Sequence, residues 1–103
     1  MLNLKEAEDI AVLIAAIAEQ NRIRVIDCLR TGSKNVTELS RLLDEEIVNV
    51  SHHLGVMRAA KVVVTEKKGR FVIYSLNPRN FGSESSKSTL MDIGWCRIEI
   101  PHS

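Results

Sequence analysis

The sequence is poor in the residues that define several common classes of small protein. Among 103 residues it has two cysteines, Cys28 and Cys96, and aromatic residues make up 4%. Cysteines so far apart provide neither a disulfide framework nor metal-ligand spacing. The longest apolar run, residues 10–18, is far shorter than the ~20 residues that span a bilayer. Since no secretory signal is recognised either, we expect a reduced, cytoplasmic protein without a membrane role.

Residue patterns on which catalysis commonly depends are missing as well. The sequence has no recognisable nucleophile–base pair, phosphate-binding loop or metal-ligand spacing, so we expect no enzymatic activity, cofactor or bound metal. A hydrophobic content of 45% is ordinary for a globular protein, and 103 residues suffice for about one domain.

Charge is distributed unevenly, although the formal net charge is only +1. Residues 1–46 contain six Lys or Arg against nine Asp or Glu, and residues 80–103 contain two against three. Residues 47–79 contain six against one, a local charge of +5. Such a segment is typical of a surface that meets a polyanion, although a solvated basic face has the same composition. Its cations are Arg58, Lys61, Lys67, Lys68, Arg70 and Arg79.

The first predicted helix, residues 5–19, is apolar on every side over residues 10–18. A surface helix would have one apolar stripe, so we expect this helix to be covered by its own domain and by a second copy of the chain. The alternative is a central helix buried within one small domain. The homodimer interface is predicted at Ile10, Leu13, Ile14 and Ile17.

Three shorter helices are predicted to follow. Asn21 is expected to cap the second, and Asn35 with Glu38 predicts a capping box for the third. About three residues after Asp44, a fourth helix is predicted at residues 47–60, which gives the lengths of a helix-turn-helix. The inward face of the second helix is predicted at Ile23, Val25, Ile26, Cys28 and Leu29.

The sequence then becomes strand-like. Residues 62–65 and 71–76 are rich in β-branched and aromatic residues, and the turn-like residues 66–69 between them predict a hairpin with a basic tip. Residues 82–89, GSESSKST, have the composition of a linker. Residues 95–100 alternate polar and apolar side chains and predict a further strand, for which the sequence identifies no pairing partner.

The fourth predicted helix contains two adjacent histidines and a glycine, SHHLG at residues 51–55. With Val50 placed inward and ~100° per residue, His52 and Gly55 point outward and His53 lies beside the inward face. The two histidines diverge by the same angle, so they are not expected to share a metal ion. The outward strip has short side chains and no carboxylate, which suits close approach to a DNA major groove. A face packed on another protein would favour the same residues.

Three segments together resemble the ArsR-type family of winged helix-turn-helix repressors. They are NRIRVIDCLRTGSKNVTELSRLL, NVSHHLGVMRAA and EKKGRFVIYSLNP, and the resemblance spans about residues 15–78. It implies an α+β, mainly α fold of four helices and a β-hairpin wing, to which this sequence adds a C-terminal strand. We place the winged domain at residues 1–79, and the linker and strand, docked on that domain or on the dimer partner, at residues 80–103.

The family also implies a function. A homodimer would bind double-stranded, palindromic operator DNA as a transcriptional repressor, with residues 47–60 in the major groove, and a small-molecule or protein effector would fit this role. The alternative is a winged-helix protein-interaction module that no longer binds DNA, and a third hypothesis is a thiol sensor that uses Cys28 or Cys96. The DNA-binding residues implied are Ile47, Asn49, Ser51, His52, Arg58, Lys67, Lys68 and Arg70.

The sequence departs from the family pattern at several positions. The third helix has no Cys-x-Cys pattern, and a linker and strand replace the C-terminal helix that holds metal in some members, so metal sensing is not expected. Lys61 stands where a glycine commonly ends the recognition helix. Glu45 and Glu46 precede that helix, where they suit the helix dipole but repel nearby phosphates.

Overall fold

A computed structural model describes residues 1–81, 88–92 and 97–101. In these residues four helices are followed by two antiparallel hairpins, which confirms the predicted α+β, mainly α architecture. The helices are α1 (Leu4–Ile17), α2 (Gln20–Leu29), α3 (Val36–Leu43) and α4 (Ile47–Ala59). The strands are β1 (Val63–Lys68), β2 (Phe71–Leu76), β3 (Ser88–Asp92) and β4 (Arg97–Pro101).

Side-chain caps explain where α2 and α3 begin. The predicted capping box of α3 is present, because Asn35 Oδ1 accepts from the Glu38 backbone N–H at 2.9 Å and Glu38 Oε1 accepts from that of Asn35 at 3.0 Å. The cap predicted for α2 is wrong. Glu19, not Asn21, accepts from the Arg22 backbone N–H, at 3.0 Å, so the helix begins two residues earlier than expected.

Inward faces of the helices form one core. Val50, Leu54 and Met57 of α4 are fully buried, as the helical spacing predicts. The inward position predicted for Ile23 of α2 is wrong, because this side chain is 39% exposed. It lies roughly 110° from the mean direction of the buried residues of α2 at ~100° per residue, so it points to the side. Those buried residues are Val25, Ile26 and Leu29.

Helix α1 is only partly covered by its own subunit. Leu4, Val12 and Ile14 are exposed, so the alternative of a helix buried within one domain is wrong. Ile17, predicted at the dimer interface, is 6% exposed and belongs to the subunit's own core. The physical reason is its place at the C-terminal end of α1, where the chain turns into α2 and the helix packs against α2 and α4.

The β1–β2 hairpin forms the wing. Its turn consists of Gly69, with φ +61°, and Arg70, because residues 66–68, expected in the turn, continue β1 instead. At the base of the wing, the backbone N–H of Tyr74 donates to the Lys34 carbonyl at 2.8 Å, and the Lys34 N–H donates back at 3.0 Å. This bridge attaches β2 to the loop between α2 and α3.

The C-terminal strand is paired within the same chain. Strand β4 is antiparallel to β3, a strand that the sequence does not predict because Ser88 and Thr89 continue a linker-like run. Met91 of β3 is fully buried in the core and forms a bridge with Phe81. The rest of the predicted linker, residues 82–87, and the start of the predicted strand, residues 95–96, lie outside the described residues. The division between residues 79 and 80 stays a prediction.

The residue that follows α4 and its cap is left-handed but is not a glycine. Lys61 has φ +64°, a conformation that costs a residue with a Cβ roughly 1–2 kcal/mol. Its carbonyl oxygen accepts from Nδ2 of Asn77 at 2.8 Å and of Asn80 at 2.7 Å. Asn77 is buried, and these two bonds hold the turn between α4 and β1 in place.

We expect Lys61→Gly to stabilise the fold by about 0.5–1 kcal/mol, because removal of Cβ relieves the left-handed conformation by more than glycine adds to the entropy of the unfolded chain. Urea unfolding at a fixed protein concentration measures the change. Lys61→Ala is the matched control, since it removes the same long side chain but keeps Cβ. A glycine variant no more stable than the alanine variant would contradict the prediction.

Candidate nucleic-acid interface

One side of α4 is open along its whole length. Val48, His52, Gly55 and Ala59 are all exposed on the side opposite the buried core residues. The cation in the last turn, Arg58, is exposed as well. The structure therefore places on the exposed surface every residue of α4 predicted to bind DNA, namely Ile47, Asn49, Ser51, His52 and Arg58.

The packing of the subunit does not account for the glycine in this helix. A Cβ built on Gly55 meets no heavy atom within 4 Å in the part of the chain that the structure describes. Glycine inside a helix costs about 0.8–1.0 kcal/mol relative to alanine. Its presence on the exposed strip is consistent with close approach by an external surface.

His53, the second of the two adjacent histidines, connects α4 to α2. His53 Nδ1 lies 3.2 Å from Arg22 Nη1 and 3.7 Å from Glu19 Oε2. Because a guanidinium only donates, Nδ1 is the acceptor and the imidazole proton is assigned to Nε2. Helical spacing predicts that His53 lies beside the core but does not identify Arg22, since the two residues are 31 positions apart.

Three consecutive acidic residues, Asp44, Glu45 and Glu46, precede α4. Glu45 is half-buried, and its Oε1 accepts from Asn21 Nδ2 of α2 at 3.3 Å. Glu46 is the N-cap residue and is exposed, without a side-chain hydrogen bond to the helix. Exposed negative charge at this end therefore comes from Asp44 and Glu46, and the helix dipole favours Glu46 at the N-cap.

The wing contributes three exposed cations, Lys67, Lys68 and Arg70. Lys67 is paired with Val72 and Lys68 with Phe71, so the two lysines lie on opposite faces of the hairpin. The guanidinium carbon of Arg70 lies 5.4 Å from the centre of the Phe71 ring, a cation–π contact that places its charge at the tip.

The described residues give no support for metal binding or for redox sensing at Cys28. In residues 1–81, 88–92 and 97–101, no three His, Cys, Asp or Glu residues form a group that could hold a metal ion. Burial, and then the carboxylate of Asp27, raises the pKa of the Cys28 thiol, while Lys34 and Arg24 oppose this more weakly. A raised pKa lowers the thiolate fraction on which redox sensing depends. Cys96 lies outside the described residues.

None of the helices in the described residues is long and apolar enough to cross a membrane.

A helix-turn-helix whose second helix, α4, is open on one side and lies next to a basic hairpin defines a winged helix-turn-helix protein. No protein-family model matches the chain. It is similar to the transcriptional repressor SdpR of Bacillus subtilis, with 31% identity over 60% of this chain and 69% of SdpR. It is also similar to the transcriptional regulator NmtR of Mycobacterium tuberculosis, with 35% identity over 73% of this chain but 62% of NmtR.

Solved structures of winged helix-turn-helix regulators are similar to this chain as well. The transcriptional repressor PagR of Bacillus anthracis matches with a TM-score of 0.66 and 30% identity, over 73% of this chain and 86% of PagR. A homodimeric winged helix-turn-helix DNA-binding domain of Mycobacterium bovis matches with a TM-score of 0.68 over 75% of this chain and 73% of that domain, at 19% identity, which shows the fold alone. The chain belongs to the ArsR-type family of winged helix-turn-helix transcriptional repressors.

We expect Gly55→Ala to stabilise the subunit by about 0.8–1.0 kcal/mol, the difference in helix propensity, because the added methyl group meets open space. The same substitution should weaken DNA binding, since the methyl group projects from the exposed strip. Urea unfolding and DNA titration of one preparation measure both effects. A stabilised variant with unchanged DNA affinity would show that close approach is not the reason for the glycine.

Proposed function

We propose that the protein is a homodimeric repressor in the cytoplasm that binds a palindromic operator, with α4 of each subunit in the major groove. The observation that carries the proposal is the open strip of α4 beside the basic wing. We assign the protein no enzymatic activity and no cofactor.

Two groups of residues would have different roles in this complex. Contacts with phosphates set affinity and its salt dependence, whereas contacts with base edges set sequence preference. We assign the phosphates to the cations Arg58, Lys67, Lys68 and Arg70, with Arg70 also within reach of the minor groove. The base edges are assigned to Ile47, Asn49, Ser51 and His52.

The second subunit is proposed to pack on α1. Val12 and Ile14 are exposed there, while Ile10 and Leu13 are half-buried, so an apolar surface remains for a partner. The Mycobacterium bovis domain with the same fold is a homodimer. A two-fold axis would present two copies of α4 to successive major grooves, about 34–36 Å apart. The buried Ile17 is not part of this proposed interface.

A protein-interaction module is the second candidate. Exposure of the apolar residues Leu42, Ile47 and Val48 favours it, because such a surface could dock a partner protein. The basic wing favours DNA. Salt dependence separates the two functions, since binding to DNA releases condensed counterions.

Neutralisation of the wing should reduce the salt dependence of DNA binding. For Arg70→Gln and for Lys67→Gln, we expect the slope of log affinity against log salt to fall in magnitude by about 0.9 for each phosphate that the variant no longer neutralises. Fluorescence anisotropy over a series of salt concentrations gives the slopes. Lys5→Gln is the control, since Lys5 is paired with Asp9 on α1 at 3.0 Å. Unchanged slopes for both wing variants would remove the wing from the contact surface.

Charge introduced into α1 should dissociate the dimer. We expect Ile14→Glu to be monomeric in light scattering, because its carboxylate would be buried without a partner at the interface. Ile23→Glu on α2 is the matched control, since Ile14 and Ile23 are exposed to 37% and 39%. The control should remain dimeric. A monomeric wild-type protein in dilute solution would refute the proposed dimer.

A further inference from the structure

We infer that the first turn of α4 recognises thymine: Ile47 and Val48 contact C5-methyl groups in the major groove, and the operator half-site has A·T pairs at the positions this turn faces. The inference rests on the proposed function and adds to it the class of DNA sequence that is bound.

Ile47 and Val48 lie at the end of α4 that would read bases. In helix-turn-helix proteins the N-terminal residues of the recognition helix contact base edges. Here those residues are Ile47, Val48 and Asn49, since α4 begins at Ile47. Asn49 is exposed, while Val50, the next residue, is fully buried. The base-reading end of the helix is therefore mainly aliphatic.

Both aliphatic side chains are open to a ligand. Val48 is 73% exposed and Ile47 is 50% exposed, so the fold of the subunit leaves both branched side chains in water. Nearly all of what a base pair presents in the major groove is a polar donor or acceptor. The exception is the methyl group of thymine, which aliphatic side chains contact. Thymine is therefore the base against which Ile47 and Val48 would bury their apolar surface.

The first turn of α4 lacks the side chain that most often binds guanine. The commonest specific contact in the major groove is Arg or Lys with the O6 and N7 acceptors of guanine. Arg58 is the sole Lys or Arg of α4 and lies in the last turn. The exposed carboxylate of Glu46 only accepts hydrogen bonds, so it cannot replace such a cation. The first turn thus has no cation to bind guanine.

Asn49 adds an independent preference in the same direction. A carboxamide pairs with N6 and N7 of adenine through two hydrogen bonds. Adenine is the partner of thymine, so a contact of Asn49 with adenine and a contact of Val48 with a thymine methyl both select A·T pairs. Adenine pairing and methyl contact arise from two different side-chain chemistries, and neither uses the cation that most often binds guanine.

Selection of bound DNA tests the inference. The 103-residue protein is used to recover bound duplexes from a random-sequence DNA library, and the recovered pool is then amplified twice, with dTTP or with dUTP. Uracil keeps the base pairing of thymine but lacks the methyl group. We expect A·T enrichment in each half-site and a loss of affinity in the uracil pool of about fourfold for each methyl contacted, the factor that one buried methylene-sized group provides.

Two variants test whether Val48 causes the difference in affinity between the thymine and uracil pools. Val48→Ser removes both methyl groups, so the difference between thymine and uracil pools should shrink, whereas a threonine would keep one methyl group for the contact. Ile23→Ser is the matched control, because it removes an aliphatic side chain at an exposed position of α2 and should keep the full difference.

The possible outcomes separate the inference from the proposed function. Equal affinity of the wild-type protein for the two pools, or selected half-sites without A·T enrichment, would overturn the inference while DNA binding stands. A thymine preference that survives in both Val48→Ser and Ile47→Ser would also overturn it, because other residues would then be responsible. Failure to recover any DNA would overturn the proposed function itself.

Discussion

Burial of a single side of α4 is the constraint on which this molecule depends. Val50, Leu54 and Met57 are fully buried in the core, whereas most other residues of the helix are exposed. Truncation of one such buried side chain typically costs about 2–5 kcal/mol, a large part of the 5–15 kcal/mol that stabilises a domain. These side chains hold α4 from its inner side, so its opposite side stays bare.

Polar contacts at the flanks of α4 complete this attachment. Arg22 contacts His53 from α2, and the carboxamides of Asn77 and Asn80 hold the Lys61 carbonyl after the last turn. Neither set of bonds uses a group of the exposed strip. The scaffold therefore orients the recognition surface without occupying it, as a preorganised binding site requires.

Local patterns predicted local structure well. The capping box at Asn35 and the separation of His52 from His53 follow from spacing within one helix, and the structure has both. Two predictions failed within one helix, the cap of α2 and the inward position of Ile23, and the remaining differences concern packing between distant segments. Periodicity does not show that Ile17 turns into the core or that Arg22 reaches a histidine 31 positions away, because both depend on how helices cross.

The bridge between Lys34 and Tyr74 has a mechanical consequence. It anchors the base of the wing, whereas Arg70 at the tip lies four residues from Tyr74, or about 13 Å at ~3.3 Å per residue. The hairpin is thus attached at its base and presents positive charge at its tip. In the proposed complex, the distance of that charge from the phosphates would depend on groove width, so DNA shape at base pairs that no side chain touches would contribute to operator choice.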